Sequence, residues 1–249
     1  MVIIKTPSEI EKMRVLGSDA ATLLNTLKIN ACAGMKTIDL DRLAVDEADS
    51  VDANLSSYRY HGYPGHLCIS LNETIVHGIP GKTKLKEGDL VTIDMVLDRE
   101  GVFVDTAITF TLGNPNKHQT KLMKVTKKAM LDGISKAVPG NRIGDISSTI
   151  QKTVEQSGFS VIREFVGHGV GKGIHEDPQI PNFGLPATGV KIQSGMTLAI
   201  EPMVSAGSWK VKVSSDGWTA NMADGSLSAH FEHTILVTEN EPEIITKRN

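Results

Sequence analysis

Residues 88–112 read GDLVTIDMVLDREGVFVDTAITFTL. Val91, Ile93, Met95 and Leu97 alternate with Leu90, Thr92, Asp94 and Val96. Past Asp98-Arg99-Glu100-Gly101, Val102, Val104, Thr106, Ile108 and Phe110 alternate with Phe103, Asp105 and Ala107. Two runs of period two around a glycine-containing break predict a β-hairpin. A turn at Arg99-Glu100 sets Leu97 against Val102, and so Asp94 against Asp105. Opposed side chains in such a pair have Cβ atoms about 4.5–5.5 Å apart, where like charges destabilise the sheet. Aspartate is also a poor strand former. A solvated face would screen the repulsion; a multivalent cation between the carboxylates would use it. Leu90, Thr92, Val96, Phe103 and Ala107 share that face and are not the residues of a wet surface. The cation is the better reading, provided that other ligands exist elsewhere in the chain.

Composition sets the frame for that search. The chain has 249 residues, 40% hydrophobic and 22% charged, enough for a substantial core in one or two domains. A net charge of −3 gives no long-range pull toward nucleic acid or an anionic membrane. Two cysteines, Cys32 and Cys68, make no disulfide framework and fit a reducing compartment. No basic segment followed by an apolar run opens the sequence, and no apolar stretch approaches the roughly 20 residues that span a bilayer. The expectation is a soluble cytoplasmic protein that acts as a monomer.

Working outward, residues 7–28 carry apolar residues at helical spacing with Pro7 near the start, and a second helix follows with Thr37 as its cap. Residues 58–81 hold two short strands, HLCISL and TIV, among turns. Helices are predicted near 117–137 and 144–157, short strands and glycine-rich turns over 160–205, and one alternating strand over 228–237.

An internal echo connects these parts. Gly88-Asp-Leu-Val-Thr-Ile-Asp94 resembles Gly195-Met-Thr-Leu-Ala-Ile-Glu201, and Ala33-Gly34-Met-Lys-Thr-Ile-Asp39 resembles Pro139-Gly140-Asn-Arg-Ile-Gly-Asp145, at offsets of 107 and 106 residues. That interval is too long for a solenoid repeat. It predicts one α+β domain over residues 1–249 made of two related halves, about 1–115 and 116–249, each ending a strand in an acid near a shared centre.

The echo adds Glu201 to Asp94 and Asp105. Glu232 in SAHFEHTILV is a fourth carboxylate, which taken alone would more often be a solvated strand residue. His168 sits among Gly167, Gly169, Gly171 and Gly173, which would clear space for a ligand or ion. Four carboxylates and an imidazole suit hard or borderline divalent ions: Mn, Co, Fe(II) or Zn. Four acids near one point repel by roughly several kcal/mol unless cations balance them. Two divalent ions would do so, and paired ions turn a water between them into a nucleophile near neutral pH.

At this point the residues resemble a known family, type I methionine aminopeptidase of the bacterial type, with the pita-bread fold. The resemblance spans essentially the whole chain. It is carried by YHGYPGHLCISLNETIVHGIP (60–80), the 88–110 hairpin, GHGVGKGIHEDPQIP (167–181), GMTLAIEPMV (195–204) and DGWTANMADGSLSAHFEHT (216–234). It implies a curved antiparallel sheet covered by helices, with pseudo-twofold halves. It implies two metal ions, Asp105 and Glu232 bridging both, Asp94 completing one and His168 with Glu201 the other. It implies that activated water attacks the first peptide bond, with Glu201 as proton shuttle, His77 beside the scissile bond and His175 stabilising the oxyanion.

By motif position Tyr60, Tyr63, Cys68, His77, Ile174 and Trp218 line the methionine pocket, where aromatic and sulfur groups suit a thioether. Ile174 stands where the family usually has an aromatic residue, and Ser57 where a cysteine is common, which alters the pocket and not the reaction. The expected substrate is the N-terminus of nascent proteins with a small second residue, met during transient contact with the ribosome. With 59 residues before YHGYP, the extra N-terminal domain of aminopeptidase P and prolidase relatives is not expected, nor the zinc-finger extension of eukaryotic cytosolic forms. Glu201 and Glu232 are 31 residues apart, which leaves no room for the type II insertion. Two other functions stay open at this stage: a broader Xaa-Pro aminopeptidase, and a non-catalytic peptide-binding module on the same fold.

Overall fold

The computed structural model describes residues 2–248. Its helices are α1 (Pro7–Asn30), α2 (Thr37–Ser50), α3 (Lys117–Ile134) and α4 (Ile143–Glu155). The first half of the chain supplies strands β1 (Asn54–Leu55), β2 (Cys68–Leu71), β3 (Thr74–Val76), β4 (Leu90–Arg99) and β5 (Val102–Thr111). The second supplies β6 (Ser160–Val161), β7 (Val166–Gly169), β8 (Glu176–Pro181), β9 (Thr197–Ile200), β10 (Met203–Ser205), β11 (Val211–Val213), β12 (Ala220–Met222), β13 (Ser228–His230), β14 (His233–Leu236) and β15 (Glu243–Ile244).

Two antiparallel sheets dominate. One runs β1-β4-β2 with β5 on the other side of β4 at the hairpin; the other runs β15-β14-β9-β7-β8. Helices α1 and α2 bury Met13, Leu16, Leu24, Leu27 and Leu40 against Val91, Ile93, Met95 and Leu97 of β4. Helices α3 and α4 bury Leu122, Met130, Ile146 and Ile150 with Leu198, Ile200 and Ile235 of the second sheet. Period-two apolar residues thus meet helical stripes on one side of each sheet, an α+β arrangement. The opposite side of the hairpin, with Asp94 and Asp105, is left to face the other half.

The hairpin is present, but its register differs from the sequence expectation. Arg99 pairs with Val102 and Leu97 with Val104, so the turn is Glu100-Gly101. Both turn residues have positive φ, 51° and 76°, as a two-residue turn matched to the twist of the strands requires. Asp94 therefore lies opposite Ala107, and Asp105 opposite Val96. The two aspartates are diagonal neighbours on one face, still within mutual reach.

Helix boundaries fall within a few residues of expectation. Pro7 opens α1 behind a capping box of Thr6 and Glu9. Thr37 is not the cap of α2 but its first residue: Lys36 holds the cap position, and its N–H donates to Asp39 at 3.1 Å. The Thr37 hydroxyl instead accepts from the Gly81 N–H at 2.8 Å.

The internal echo has structural counterparts. Lys36 bridges Lys84, and Arg142 bridges Lys191. Asp145 accepts the Arg142 N–H at 2.8 Å just as Asp39 accepts that of Lys36. Gly34 and Gly140 share a left-handed φ, 91° and 97°, and Gly88 and Gly195 share 86° and 85° ahead of β4 and β9.

The stretch 228–237 is not one strand. It breaks at Phe231-Glu232, so β13 pairs with β10 and β14 with β9. At the break the chain presses onto β5: the Glu232 N–H donates to the Ala107 carbonyl at 3.0 Å. Thr109 donates to the His230 carbonyl at 2.7 Å, and the Thr234 hydroxyl donates to the Asp105 carbonyl at 2.8 Å. These bonds lock the two sheets together where their acids meet.

Candidate metal centre and substrate cleft

Asp94 and Asp105 come from the hairpin, His168 from β7, Glu201 from the residue after β9, and Glu232 from the break between β13 and β14. Pro202 prevents β9 from continuing as a paired strand, which frees Glu201 to turn inward. Ligand atoms of Asp105, His168 and Glu232 lie within 4.8 Å of one another. His168 Nε2 is 3.4 Å from Glu201 Oε1 and 3.7 Å from Asp105 Oδ2. Asp94 closes the group through its contact with Asp105. The five side chains named from the sequence are brought to one place.

Their electrostatics are those of a site built for positive charge. Asp105 Oδ1 and Glu232 Oε1 are buried without a hydrogen-bond partner among the described residues. Burial, then the charges of Asp94 and Glu201, push the Asp105 carboxyl well above its usual range. Burial, then Asp105 and Glu201, does the same to Glu232, and burial, then Asp94, to Glu201. Burial also raises Asp94. Unpartnered carboxylate oxygens in a dry pocket are unfavourable unless protonated or cation-bound. The residues present therefore fit divalent ions.

His168 turns a lone pair toward the acids. Its Nδ1 lies 2.9 Å from the Gly169 carbonyl, so the proton sits there and the Nε2 lone pair faces the acids. Burial holds its pKa down to about 3. The glycines around it differ in purpose from the sequence expectation. A Cβ on Gly167 would meet the Ala199 carbonyl oxygen at 2.5 Å, and one on Gly169 the Asp177 carbonyl oxygen at 2.3 Å. They allow β8 and β9 to approach β7 rather than clearing room for a ligand.

Over the acids lies a cleft of about 370 Å³. All the residues expected in the pocket line it: Tyr60, Tyr63, Cys68, His77, Ile174 and Trp218, with His175 and Ser57. Tyr63 meets Trp218 edge to face at 5.2 Å between ring centroids, and its hydroxyl donates to the Leu67 and Gly78 carbonyls. Burial, then Asp94, raises the Cys68 thiol well above its usual pKa, so it stays neutral. His77, with φ of 58°, is held down to about 4 by burial and then by His230. His175 is lowered by burial, then by His77 and His61.

Several lining residues were missed in the sequence. Phe165 packs edge to face on His77 at 5.3 Å, and His61, Val96 and Met203 complete the walls. Phe165 carries no motif signal beyond standing three residues before His168. His230, fully buried beside Glu201, was read only as a strand residue.

Residues 11–239 match the model of metallopeptidase family M24. The chain is 46% identical to a methionine aminopeptidase of Clostridium perfringens over 246 residues, 99% of each sequence. It is 48% identical to the methionine aminopeptidase of Thermotoga maritima, whose crystal structure superposes with a TM-score of 0.97 over 99% of this chain and 100% of that one. Prolidase from Pyrococcus furiosus is similar with a TM-score of 0.82 at 21% identity, over 99% of this chain and 66% of that one, a likeness of fold alone.

Proposed function

The chain belongs to metallopeptidase family M24, and we propose that Asp94, Asp105, His168, Glu201 and Glu232 hold the ions with which it removes N-terminal methionine. It is a methionyl aminopeptidase, a hydrolase acting on the N-termini of proteins. The observation that carries the residue assignment is the convergence of four buried carboxylates and a Nε2-exposed imidazole beneath an aromatic-lined cleft.

Divalent ions held there supply charge that polarises the scissile carbonyl and makes water nucleophilic near neutral pH. The chain's own residues do the rest. Glu201, whose carboxyl is raised by burial, takes a proton from the attacking water and returns it to the leaving amine. The Tyr60 hydroxyl lies 2.8 Å from His175 Nδ1; with the phenol as donor, His175 carries its proton on Nε2 and donates to the carbonyl oxygen as charge develops. His77, neutral and braced by Phe165, contacts the peptide next to the scissile bond. Tyr60, Tyr63, Cys68, Ile174 and Trp218 receive the methionine side chain. A tight site beyond the scissile bond would limit the second residue to small ones.

In this reading Asp94, Asp105, His168, Glu201 and Glu232 would hold two ions of Co, Mn, Fe(II) or Zn, as the oxygen-rich donor set allows. The halves 1–115 and 116–249 act as one catalytic domain, supported by the paired capping acids and left-handed glycines. The enzyme works as a cytoplasmic monomer that meets nascent chains at the ribosome. None of the helices among the described residues is long and apolar enough to cross a membrane.

The test compares hydrolysis of Met-Ala-Ser with Xaa-Pro peptides, using protein purified without added metal and restored ion by ion. Preference for Xaa-Pro would contradict the substrate assignment. Asp105→Ala should abolish both metal binding and turnover, and retained activity would refute the ligand set.

A further inference from the structure

We propose that His230 is a positioning residue of the metal centre: its Nε2–H holds one oxygen of Glu201 so that the other faces His168. The inference rests on Glu201 being a metal ligand.

His230 ends β13 and is 1% exposed. Its main chain is pinned on both sides by one residue, since its N–H donates to the Thr109 hydroxyl at 2.9 Å and its carbonyl accepts from it at 2.7 Å. The main chain that carries the ring is thereby fixed in place. Yet neither ring nitrogen has a hydrogen-bond partner among the described residues. A fully buried imidazole left so is unfavourable, and each such group calls for an explanation. The nearby acceptor is Glu201 Oε2, 3.4 Å from Nε2.

The Glu201 carboxylate lies between two imidazoles, one at each oxygen. Oε1 is 3.4 Å from His168 Nε2, and Oε2 is 3.4 Å from His230 Nε2. The two rings differ in what fixes their protons. The Gly169 carbonyl takes the Nδ1–H of His168, so His168 Nε2 is an acceptor and cannot donate to Glu201. Two lone-pair bearers facing each other mark the place of a cation. His230 has no such carbonyl at Nδ1. A neutral imidazole has one N–H, and the carboxylate is the group placed to accept it. The arrangement is that of an orienting donor behind a ligating carboxylate rather than that of another ligand.

An orienting donor of this kind typically contributes about 10–100-fold in metal affinity. The experiment titrates Mn²⁺ calorimetrically into metal-free wild type, His230→Gln, His230→Leu and Glu201→Ala. His230→Leu should weaken binding by about 10–100-fold without lowering the metal-free melting temperature. His230→Gln keeps an N–H donor and should bind close to wild type. The Co²⁺ ligand-field bands of His230→Leu should stay at their wild-type positions. Wild-type affinity in His230→Leu, an equal loss in both His230 variants, or a large band shift, which would mean direct ligation, overturns the proposal. If His230→Leu does not fold, the ring ¹⁵N shifts of metal-loaded wild type decide: an Nε2–H tautomer supports the proposal and Nδ1–H refutes it. Glu201→Ala separates this inference from its premise, since an undiminished ion count there removes Glu201 from the ligand set whatever His230 does.

Discussion

The Tyr60 hydroxyl lies 2.8 Å from Nδ1 of His175, joining two residues 115 positions apart at the mouth of the cleft. Burial raises the phenol's pKa and lowers the imidazole's, so both are neutral at pH 7. With the phenol as donor, His175 carries its proton on Nε2. Tyr60→Phe frees the imidazole to take either tautomer while keeping the ring. A neutral hydrogen bond of this type contributes about 0.5–1.5 kcal/mol. The expected result is a kcat lower by about two- to tenfold, since 1.4 kcal/mol is tenfold, with KM for Met-Ala-Ser little changed. A kcat equal to wild type would show that His175 needs no such alignment.

Metal binding should stabilise the protein more as pH rises. Asp105, Glu201 and Glu232 have raised pKa values in the folded metal-free chain, so the folded state holds protons that the unfolded state has lost. That stability is full below the ordinary carboxylate range and is lost as pH climbs through the raised values. The histidines act in the opposite sense. His77 and His168 are lowered to about 4 and about 3, so their contribution is full above 6.5 and is lost as pH falls toward those values. Above pH 6.5 those two histidines are neutral in both states, so the raised acids set the direction of the pH dependence. At a free ion concentration 100 times Kd, binding adds about 2.7 kcal/mol, or about 5–10 °C in a chain of this size. Melting curves with and without Mn²⁺ from pH 6.5 to 8.5 should show that increment widening. An increment flat with pH would mean that the acids are ionised without metal.

Most of the hairpin and its two aspartates could be read from the chain, because period two and an acid in an apolar face are local signals; Glu201 needed the internal echo, His168 its glycines, and Glu232 the resemblance across the whole chain. The register could not be read. Gly101 is the one residue of Asp98-Arg99-Glu100-Gly101 that favours the observed turn, and Glu100, a poor residue for its φ of 51°, hides that signal. The break at Phe231-Glu232 was hidden for a related reason. Alternation continues through it, and only hydrogen bonds to Ala107, Thr106 and Thr109 of β5 show where one sheet ends and the next begins. The Tyr60–His175 bond and the His230–Glu201 approach are tertiary facts with no local pattern to announce them.

Lys5 should matter to catalysis from a distance. Its ammonium is buried and bonded to Glu176, whose other oxygen accepts the Lys172 and Gly173 N–H groups. Glu176 thereby ties down the loop that carries Ile174 and His175 into the cleft. Lys5→Met removes one partner of a buried pair, which destabilises by about 3–5 kcal/mol because the remaining charge is left uncompensated. The melting temperature should fall by roughly 6–20 °C at about 2–4 °C per kcal/mol. Turnover of Met-Ala-Ser, measured well below that transition, should fall too. A stable but slow enzyme would indicate loop placement alone, and an unchanged one would free the loop from this anchor.

Ile174 should set the width of the methionine pocket. Tyr63 is rigid, held by its two carbonyl acceptors and by the edge of Trp218. Cys68 lies in β2, paired with Asp94. Ile174 is the aliphatic member of this wall and is 8% exposed. Its loop is braced through Glu176, so trimming the side chain enlarges the pocket without moving the backbone. One methylene of fit in an apolar pocket discriminates by about 10–200-fold. In Ile174→Ala, kcat/KM for Met-Ala-Ser should drop at least about tenfold while that for Phe-Ala-Ser holds or rises. Ile174→Phe should narrow the pocket, preserving methionine and excluding phenylalanine more strongly. Equal losses for both peptides in the alanine variant would show that Ile174 supports the loop and does not choose the substrate.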